Sequence, residues 1–209
     1  MRFLPAITTT RPDWKKKIKE ASAIGLDSVC FFLTCLKEVQ RNEFYRLAGK
    51  SGLKAPFVHL RSDMKPEEIR LLKEKFGAEI FNIHSYSEYP EKYNYTGLKD
   101  LIYIENIYNP LNSRELKKFG GICLDFAHLE NDRLTDAKKF KHNIAALEKF
   151  SIGCNHISCI KAKPKKERGF VRFDSHFLED LSELDYLKNY PKKYFSDFAA
   201  IELENSPTE

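Results

Sequence analysis

The chain has 209 residues, of which 42% are hydrophobic and 13% are aromatic, and its formal charge at pH 7 is +5. This composition argues against disorder and is enough for the core of one domain spanning 1–209. No apolar run approaches the ~20 residues of a membrane span, so we expect no membrane contact. With no signal-peptide pattern and five cysteines without CxxC spacing, we expect a reduced, cytoplasmic protein.

Short apolar segments alternate with charged helical stretches along the whole chain. Strands are predicted over 2–8, 28–34, 55–61, 79–85, 100–107, 121–127, 154–160 and 198–204. Helices are predicted over 13–24, 37–48, 66–77, 113–120, 135–150 and 174–190. Eight such alternations predict an α/β fold, a (β/α)8 TIM barrel that is compact with short loops because these barrels usually take about 250 residues. An open doubly wound sheet is the alternative, but no GxGxxG turn follows the first strand.

The segment GGICLDFAHLEND, residues 120–132, carries the first chemical signal. Ile122 and Leu124 alternate with Asp125, as in a strand with one apolar face. His128 follows where the strand would open into a loop. Carboxylate and neutral imidazole are common metal ligands, so the pair predicts a metal site. The alternative makes Asp125 a helix N-cap and His128 an ordinary loop residue.

Five of the six histidines fall where predicted strands meet loops, the end at which barrel enzymes carry their active sites. Only His142 lies within a predicted helix. The five are His59, His84, His128, His156 and His176. Acids lie at matching strand ends: Glu105, Asp125 and the pair Glu202 and Glu204. A cluster of this size favours a metal site over isolated core histidines.

Strand parity points these ligand candidates toward the barrel axis. In the eighth predicted strand, Ile201 and Leu203 alternate with Glu202 and Glu204. Glu204 lies closer to the open end and is the expected ligand. Glu202 is expected one layer deeper, paired with a cation such as Arg2.

The strand-end motifs resemble those of the xylose isomerase-like TIM barrels, and they are most similar to those of the endonuclease IV family of apurinic endonucleases. The motifs are VHLRSD, FNIHS, YIENIYN, GICLDFAHLEND, HISCIK, FDSH and LEN. The resemblance implies that three zinc ions are held by His59, His84, Glu105, Asp125, His128, His156, Asp174, His176 and Glu204. Ser158 and Cys159 depart from the family's HLNDAK motif, and the long DNA-inserting loops of that family are missing from this sequence.

The first functional hypothesis is metal-dependent hydrolysis of a phosphoester, with two or three Zn²⁺ ions bridged by carboxylates such as Glu105. The resemblance implies DNA with an abasic site as the partner. Lys161 and Lys163, in the basic run 161–168, and Arg61 are the candidate phosphate-binding residues. The same run is equally consistent with a solvated loop.

The second hypothesis is a sugar or sugar-phosphate isomerase or epimerase. One Mn²⁺ or Mg²⁺ ion would be held by Glu105, Asp125, His156 and Glu204, and Glu105 and Glu204 would pass a proton on and off carbon. Short loops favour this hypothesis, whereas His59, His84, Asp174 and His176 favour the first, because one metal does not need them. A barrel that binds a ligand without catalysis is the third hypothesis. The oligomeric state is left open.

Overall fold

Eight parallel strands close into a barrel in the computed structural model, which describes residues 1–90, 92–167 and 169–209. Neighbouring strands follow the chain order, and the last strand closes against the first. The barrel strands are β1 Arg2–Thr8, β2 Ser28–Phe32, β3 Lys54–His59, β4 Ile80–His84, β5 Ile102–Glu105, β6 Gly121–Asp125, β7 Ile152–Ile157 and β10 Phe198–Ile201. A separate antiparallel hairpin is formed by β8 Cys159–Glu167 and β9 Phe170–Ser175. The predicted (β/α)8 TIM barrel is confirmed.

Helices cover the outside of the barrel. They are α1 Trp14–Ala23, α2 Glu38–Lys50, α3 Pro66–Phe76, α4 Ser113–Leu116, α5 Phe126–Thr135 and α6 Ala137–Leu147, with 3-10 segments at Lys99–Leu101, Leu181–Asn189 and Lys192–Tyr194. Phe31 of β2 packs edge-on against Phe44 of α2 and Phe76 of α3. Within the described residues, no helix is both long and apolar enough to cross a membrane.

The sequence predicts both ends of α3 correctly. Pro66 occupies the first turn, with Glu67 and Glu68 beside it, where acids meet the positive end of the helix dipole. Gly77 ends the helix at φ 69°, in the left-handed region that glycine enters without a Cβ clash.

Two helix predictions differ from the structure. The helix predicted over 135–150 is α6, which begins at Ala137 because Asp136 rather than Thr135 caps it; the Asp136 side chain accepts from the backbone amides of Lys138 and Lys139. Thr135 instead ends α5, a helix that the sequence did not predict. The helix predicted over 174–190 begins in an extended hairpin: Asp174 lies in β9, paired with Ile160 of β8. Only Leu181–Asn189 is helical there, in a 3-10 segment capped by Asp180.

The hairpin also replaces the loop expected after the seventh strand. Lys161 to Glu167 lie in β8, and Arg168, the last residue of the predicted basic run, lies outside the described residues. Lys165 faces Arg172 in the hairpin register. The positions of the basic residues in this region are therefore set by strand pairing.

Two layers of side chains fill the barrel. An apolar floor layer contains Leu4, Ala6, Cys30, Phe57, Ile80, Cys123, Cys154 and Ala200. Two residues further along the same strands lies a polar mouth layer, which contains His59, Asn82, Glu105, Asp125, His156 and Glu202. Asp125 is in register with His156, and His156 with Ala200, so parallel pairing brings these strand ends to one edge.

Candidate metal centre

Three overlapping groups of donor atoms occupy the mouth layer, and within each group the atoms lie within 4.8 Å of one another. The groups are His59, Glu105 and His156; Glu105, Asp125 and His128; and Asp125, His156 and Glu202. All of these side chains are buried. Four strands, the first turn of α5 and the residue that follows β10 contribute them. A barrel concentrates ligands that are distant in sequence in this way.

Glu105 lies at the centre, and its two oxygens face different partners. Oε2 lies 3.4 Å from Nε2 of His59 and 3.5 Å from Nδ1 of His156, whereas Oε1 lies 3.7 Å from Nε2 of His128. The side-chain amide of Asn82 donates to Oε2 over 2.7 Å and fixes the carboxylate. A carboxylate in this position can bridge two ions.

Asp125 caps a helix, as one of its two alternatives predicts, and it also lies among the clustered donor atoms. Its Oδ1 accepts the backbone N–H of His128 over 2.8 Å and caps α5. Its buried Oδ2 has no hydrogen-bond partner and lies 3.7 Å from Nε2 of His128. Capping therefore orients the carboxylate and leaves one oxygen for the cluster.

The remaining predicted histidines lie at the edge of the cluster. Nε2 of His84 lies 3.8 Å from Oε2 of Glu105, and its ring contacts the rings of His59 and Tyr89. His176 follows β9, and its Nδ1 lies 3.0 Å from the backbone carbonyl oxygen of Glu202. Both rings border the cavity above the cluster.

Glu202, rather than Glu204, is the last acid of the cluster. Its Oε2 lies 2.7 Å from Nδ1 of His156, and the side chain is 4% exposed. The expected partner is also different, because Arg2 binds Glu79 on the surface over 2.8 Å. Sequence parity had placed Glu202 correctly on the inner face.

Glu204 lies outside the cluster because β10 ends at Ile201, so strand alternation does not extend to it. Its carboxylate accepts from Thr10 over 2.8 Å and pairs with Arg11 over 2.9 Å. The buried ammonium of Lys17 donates to its backbone carbonyl over 2.8 Å and fixes this turn. The geometry gives Glu204 a rim position in place of the predicted metal-ligand and proton-transfer roles.

Burial and neighbouring charges set the protonation of the centre. Burial lowers the pKa of His59 to about 3 and raises that of Asp125. Burial also opposes charge on Glu105, but His156 and His59 outweigh it and hold the Glu105 pKa well below its usual range. For His128, Asp125 and Asp174 outweigh burial and raise the pKa to about 9.

These residues fit a divalent cation. Both ring nitrogens of His59, Nε2 of His156 and Oδ2 of Asp125 are buried without hydrogen-bond partners. Unpaired buried polar atoms cost about 1 to 3 kcal/mol each, a cost that metal coordination offsets. Mixed imidazole and carboxylate donors suit Zn²⁺, and also Mn²⁺ or Fe²⁺.

The predicted phosphate-binding residues are dispersed. Lys161 is held by Glu179 and Glu183, over 2.9 and 2.8 Å. Lys163 is exposed on β8. Arg61 donates to the carbonyl of Thr34 over 2.6 Å and borders a neighbouring cavity.

Arg172 and Lys165 were missed by sequence reasoning, although both border a cavity of about 180 Å³ above the donor groups. Their signal was weak, because the hairpin that places them was predicted as a loop and a helix. Asn82 was also missed, yet it lies two residues before His84 on the same face, which strand parity could have shown.

No family model and no curated protein matches this chain. Among solved structures, it is similar to a probable 3-DHS dehydratase involved in petrobactin synthesis from Bacillus anthracis, at 12% identity over 99% of this chain and 93% of that chain, with a TM-score of 0.49. An AP endonuclease of family 2 from Brucella melitensis is 10% identical over 97% and 92%, with a TM-score of 0.47. A xylose isomerase domain protein from Alicyclobacillus acidocaldarius is 13% identical over 99% and 91%, with a TM-score of 0.48. The specific likeness to endonuclease IV stays a prediction from the motifs.

Proposed function

We propose that this chain is a divalent-metal-dependent enzyme that hydrolyses phosphoesters, and that Glu105 is the central residue among those that would hold two ions. The observation that carries the proposal is the division of its oxygens between two donor groups, Oε2 toward His59 and His156 and Oε1 toward His128. A single ion would need only one of these groups. The number of buried donors therefore favours two ions.

Each side chain has a definite task at this centre. Asn82 holds the Glu105 carboxylate, and the backbone of α5 holds Asp125 through its cap. Asp174 lies 3.0 Å from Nδ1 of His128, so a proton on Nδ1 leaves the Nε2 lone pair facing the cluster. When bound, two divalent ions acidify water and stabilise the attacking and leaving oxygens of a phosphoester displacement.

Two cations in the cavity wall support an anionic substrate. Lys165, which pairs with Glu167 over 2.9 Å, and Arg172, which pairs with Asp174, border the cavity above the donor groups. Tyr108 also lines this cavity. Cations beside a metal centre attract phosphate and neutralise its charge. DNA with an abasic site is the substrate class that the motif resemblance supports.

A sugar or sugar-phosphate isomerase is the second candidate, favoured by the small cavity of about 180 Å³. The acid and base of that reaction would be Glu105 and Glu202, because Glu204 lies on the rim. This candidate needs one ion and leaves the donors around His128 without a role.

Metal counting and a substrate panel test the proposal together. Protein purified without added metal, then loaded with Zn²⁺ or Mn²⁺, is analysed for metal content and assayed on an abasic-site duplex, on bis(p-nitrophenyl) phosphate and on ketoses. We expect two ions per chain and phosphoester cleavage that chelation abolishes. One ion with ketose conversion would support the second candidate, and neither metal nor turnover after loading would contradict both.

Glu105→Gln provides the decisive variant, because it keeps the size of the side chain and removes the bridging charge. We expect the cleavage rate to fall at least ~100-fold and bound metal to be lost. Replacing a residue that only orients a ligand typically lowers metal affinity or activity 10- to 100-fold, so a direct ligand should cost more. Glu179→Gln is the matched control, since Glu179 is exposed and pairs with Lys161 away from the cluster. Equal losses in both variants would count against the proposal.

A further inference from the structure

Asp174 is a buried predicted ligand whose carboxylate is already engaged by an arginine. It is 2% exposed. Nε of Arg172 donates to Oδ1 over 3.0 Å and to Oδ2 over 3.1 Å, and Nη2 also contacts Oδ2. Nδ1 of His128 lies 3.0 Å from the same Oδ2. Both oxygens of Asp174 are therefore in use.

Asp125 shows the contrasting arrangement on the other side of His128. Its Oδ2 is buried and unbonded, as expected of an oxygen that coordinates an ion. An ion at Asp174 would have to displace the Arg172 guanidinium, and a fork-shaped pair with a buried carboxylate is among the strongest ion pairs in proteins. The two acids therefore have different partners although both face the same histidine.

Arg172 is itself held in place. Its guanidinium lies over the ring of Tyr108, 5.6 Å from the centroid. The ring of Phe170 stacks on the same Tyr108 ring, with the two centroids 5.9 Å apart. Lys165 lies opposite Arg172 in the hairpin register. Arg172 lines two cavities that His128 also lines, and its Nη1 donates to the hydroxyl of Tyr108 over 3.4 Å. A guanidinium has five N–H donors, so it keeps a donor beyond those that Asp174 and Tyr108 use.

We propose that Arg172 takes the place of a metal ion at Asp174: it keeps this carboxylate as the orienting partner of His128, limits the centre to two ions, and binds an anionic group of the substrate. This inference rests on the proposed metal-dependent function and gives Arg172, which already lines the proposed substrate cavity, a further role at Asp174. Arg172 is a positioning residue toward His128 and a binding residue toward the substrate.

Metal content of isosteric variants tests the first part. The wild type and Asp174→Asn should each hold two ions per chain at saturating Zn²⁺, whereas Asp125→Asn should lose at least one. Asp174→Asn preserves shape, so the comparison does not depend on a disruptive change. Three ions in the wild type, or an ion lost in Asp174→Asn, would overturn the inference while leaving the metal centre intact.

Arg172 variants extend the test. Arg172→Met should release Asp174 and take up more than two ions, whereas Arg172→Lys, which keeps the charge, and the double variant Arg172→Met/Asp174→Asn should each hold two. Lys166→Met is the matched control, because Lys166 is an exposed cation on the same hairpin. An unchanged number of bound ions in folded Arg172→Met would contradict the proposal. If circular dichroism shows that this variant is unfolded, the ion counts of the double variant and of Asp174→Asn still test the proposal.

Binding of inorganic phosphate to the zinc-loaded protein tests the second part. We expect the dissociation constant to rise about tenfold in Arg172→Lys, which loses the planar fork, and more in the double variant, with no change in Lys166→Met. Equal phosphate affinity in all four proteins would overturn the substrate contact. No metal in any of them would instead contradict the proposed function itself.

Discussion

The floor layer and the mouth layer of the barrel come from the same strands, two residues apart, yet they differ in chemistry. In β3, Phe57 lies in the floor and His59 in the mouth; in β6, Cys123 precedes Asp125. The floor contains apolar and thiol side chains that need no partner. The mouth contains buried nitrogens and oxygens without hydrogen bonds. Of these two layers, the floor therefore contributes to folding stability and the mouth to ligand binding.

The two layers are stabilised in different ways. Burial of apolar surface stabilises the floor whether or not a ligand is bound. The unpaired donors of the mouth destabilise the metal-free chain and are compensated only when a cation binds. Variants in the two layers should accordingly separate stability from metal binding.

The largest change in stability is expected from Leu4→Ala in the floor. Leu4 is 3% exposed, and truncating a buried leucine costs about 2 to 5 kcal/mol. The metal-dependent increase in unfolding free energy should persist, at about 2.7 kcal/mol when free metal is 100 times its dissociation constant. Chemical denaturation with and without Zn²⁺ measures both. A lost metal increment would mean that the two layers are not independent.

The next effect is expected from Glu202→Gln in the mouth. This change removes one buried charge that faces His156, and metal affinity should fall at least ~100-fold, because ligands matter more than the residues that orient them. Glu204→Gln is the matched control. Its metal affinity should stay within about threefold of the wild-type value, because Glu204 forms only a partly exposed ion pair with Arg11. Competition with a fluorescent zinc chelator measures both. The reverse ranking would restore the assignment made from sequence.

Glu202 and Glu204 also show what the sequence can and cannot predict. Strand parity places both on one face, but β10 ends at Ile201. Glu204 is held on the rim by Lys17 and Arg11, which are distant from it in sequence. The barrel, with Glu105 and Asp125 at its strand ends, follows from alternation and motif spacing. Asp174 was predicted in a helix because β9 is defined by pairing with β8, and antiparallel pairing leaves little local signal.

A smaller effect is expected from Asn82→Ala, which removes the donor that fixes Glu105. Loss of an orienting hydrogen bond typically weakens metal binding 10- to 100-fold. Asn155→Ala is the matched control: Asn155 is equally buried but donates to the carbonyl of Tyr194 over 3.0 Å, outside the donor groups. It should lower stability and leave metal affinity unchanged. Equal weakening in both variants would show a general loss of packing instead of a specific role for Asn82.

The smallest effect concerns pH in the metal-free protein. The pKa of His128 is raised to about 9 because Asp125 and Asp174 outweigh burial, so its stabilising contribution is complete below pH 6.5 and is lost as pH rises through about 9. Asp174→Asn removes the second of these acids. The stability difference between wild type and variant should shrink by on the order of 1 kcal/mol between pH 6.5 and 9.5. Urea denaturation of chelated protein across this range measures it. A constant difference would mean that His128 is neutral throughout, and that Asp174 serves Arg172 alone.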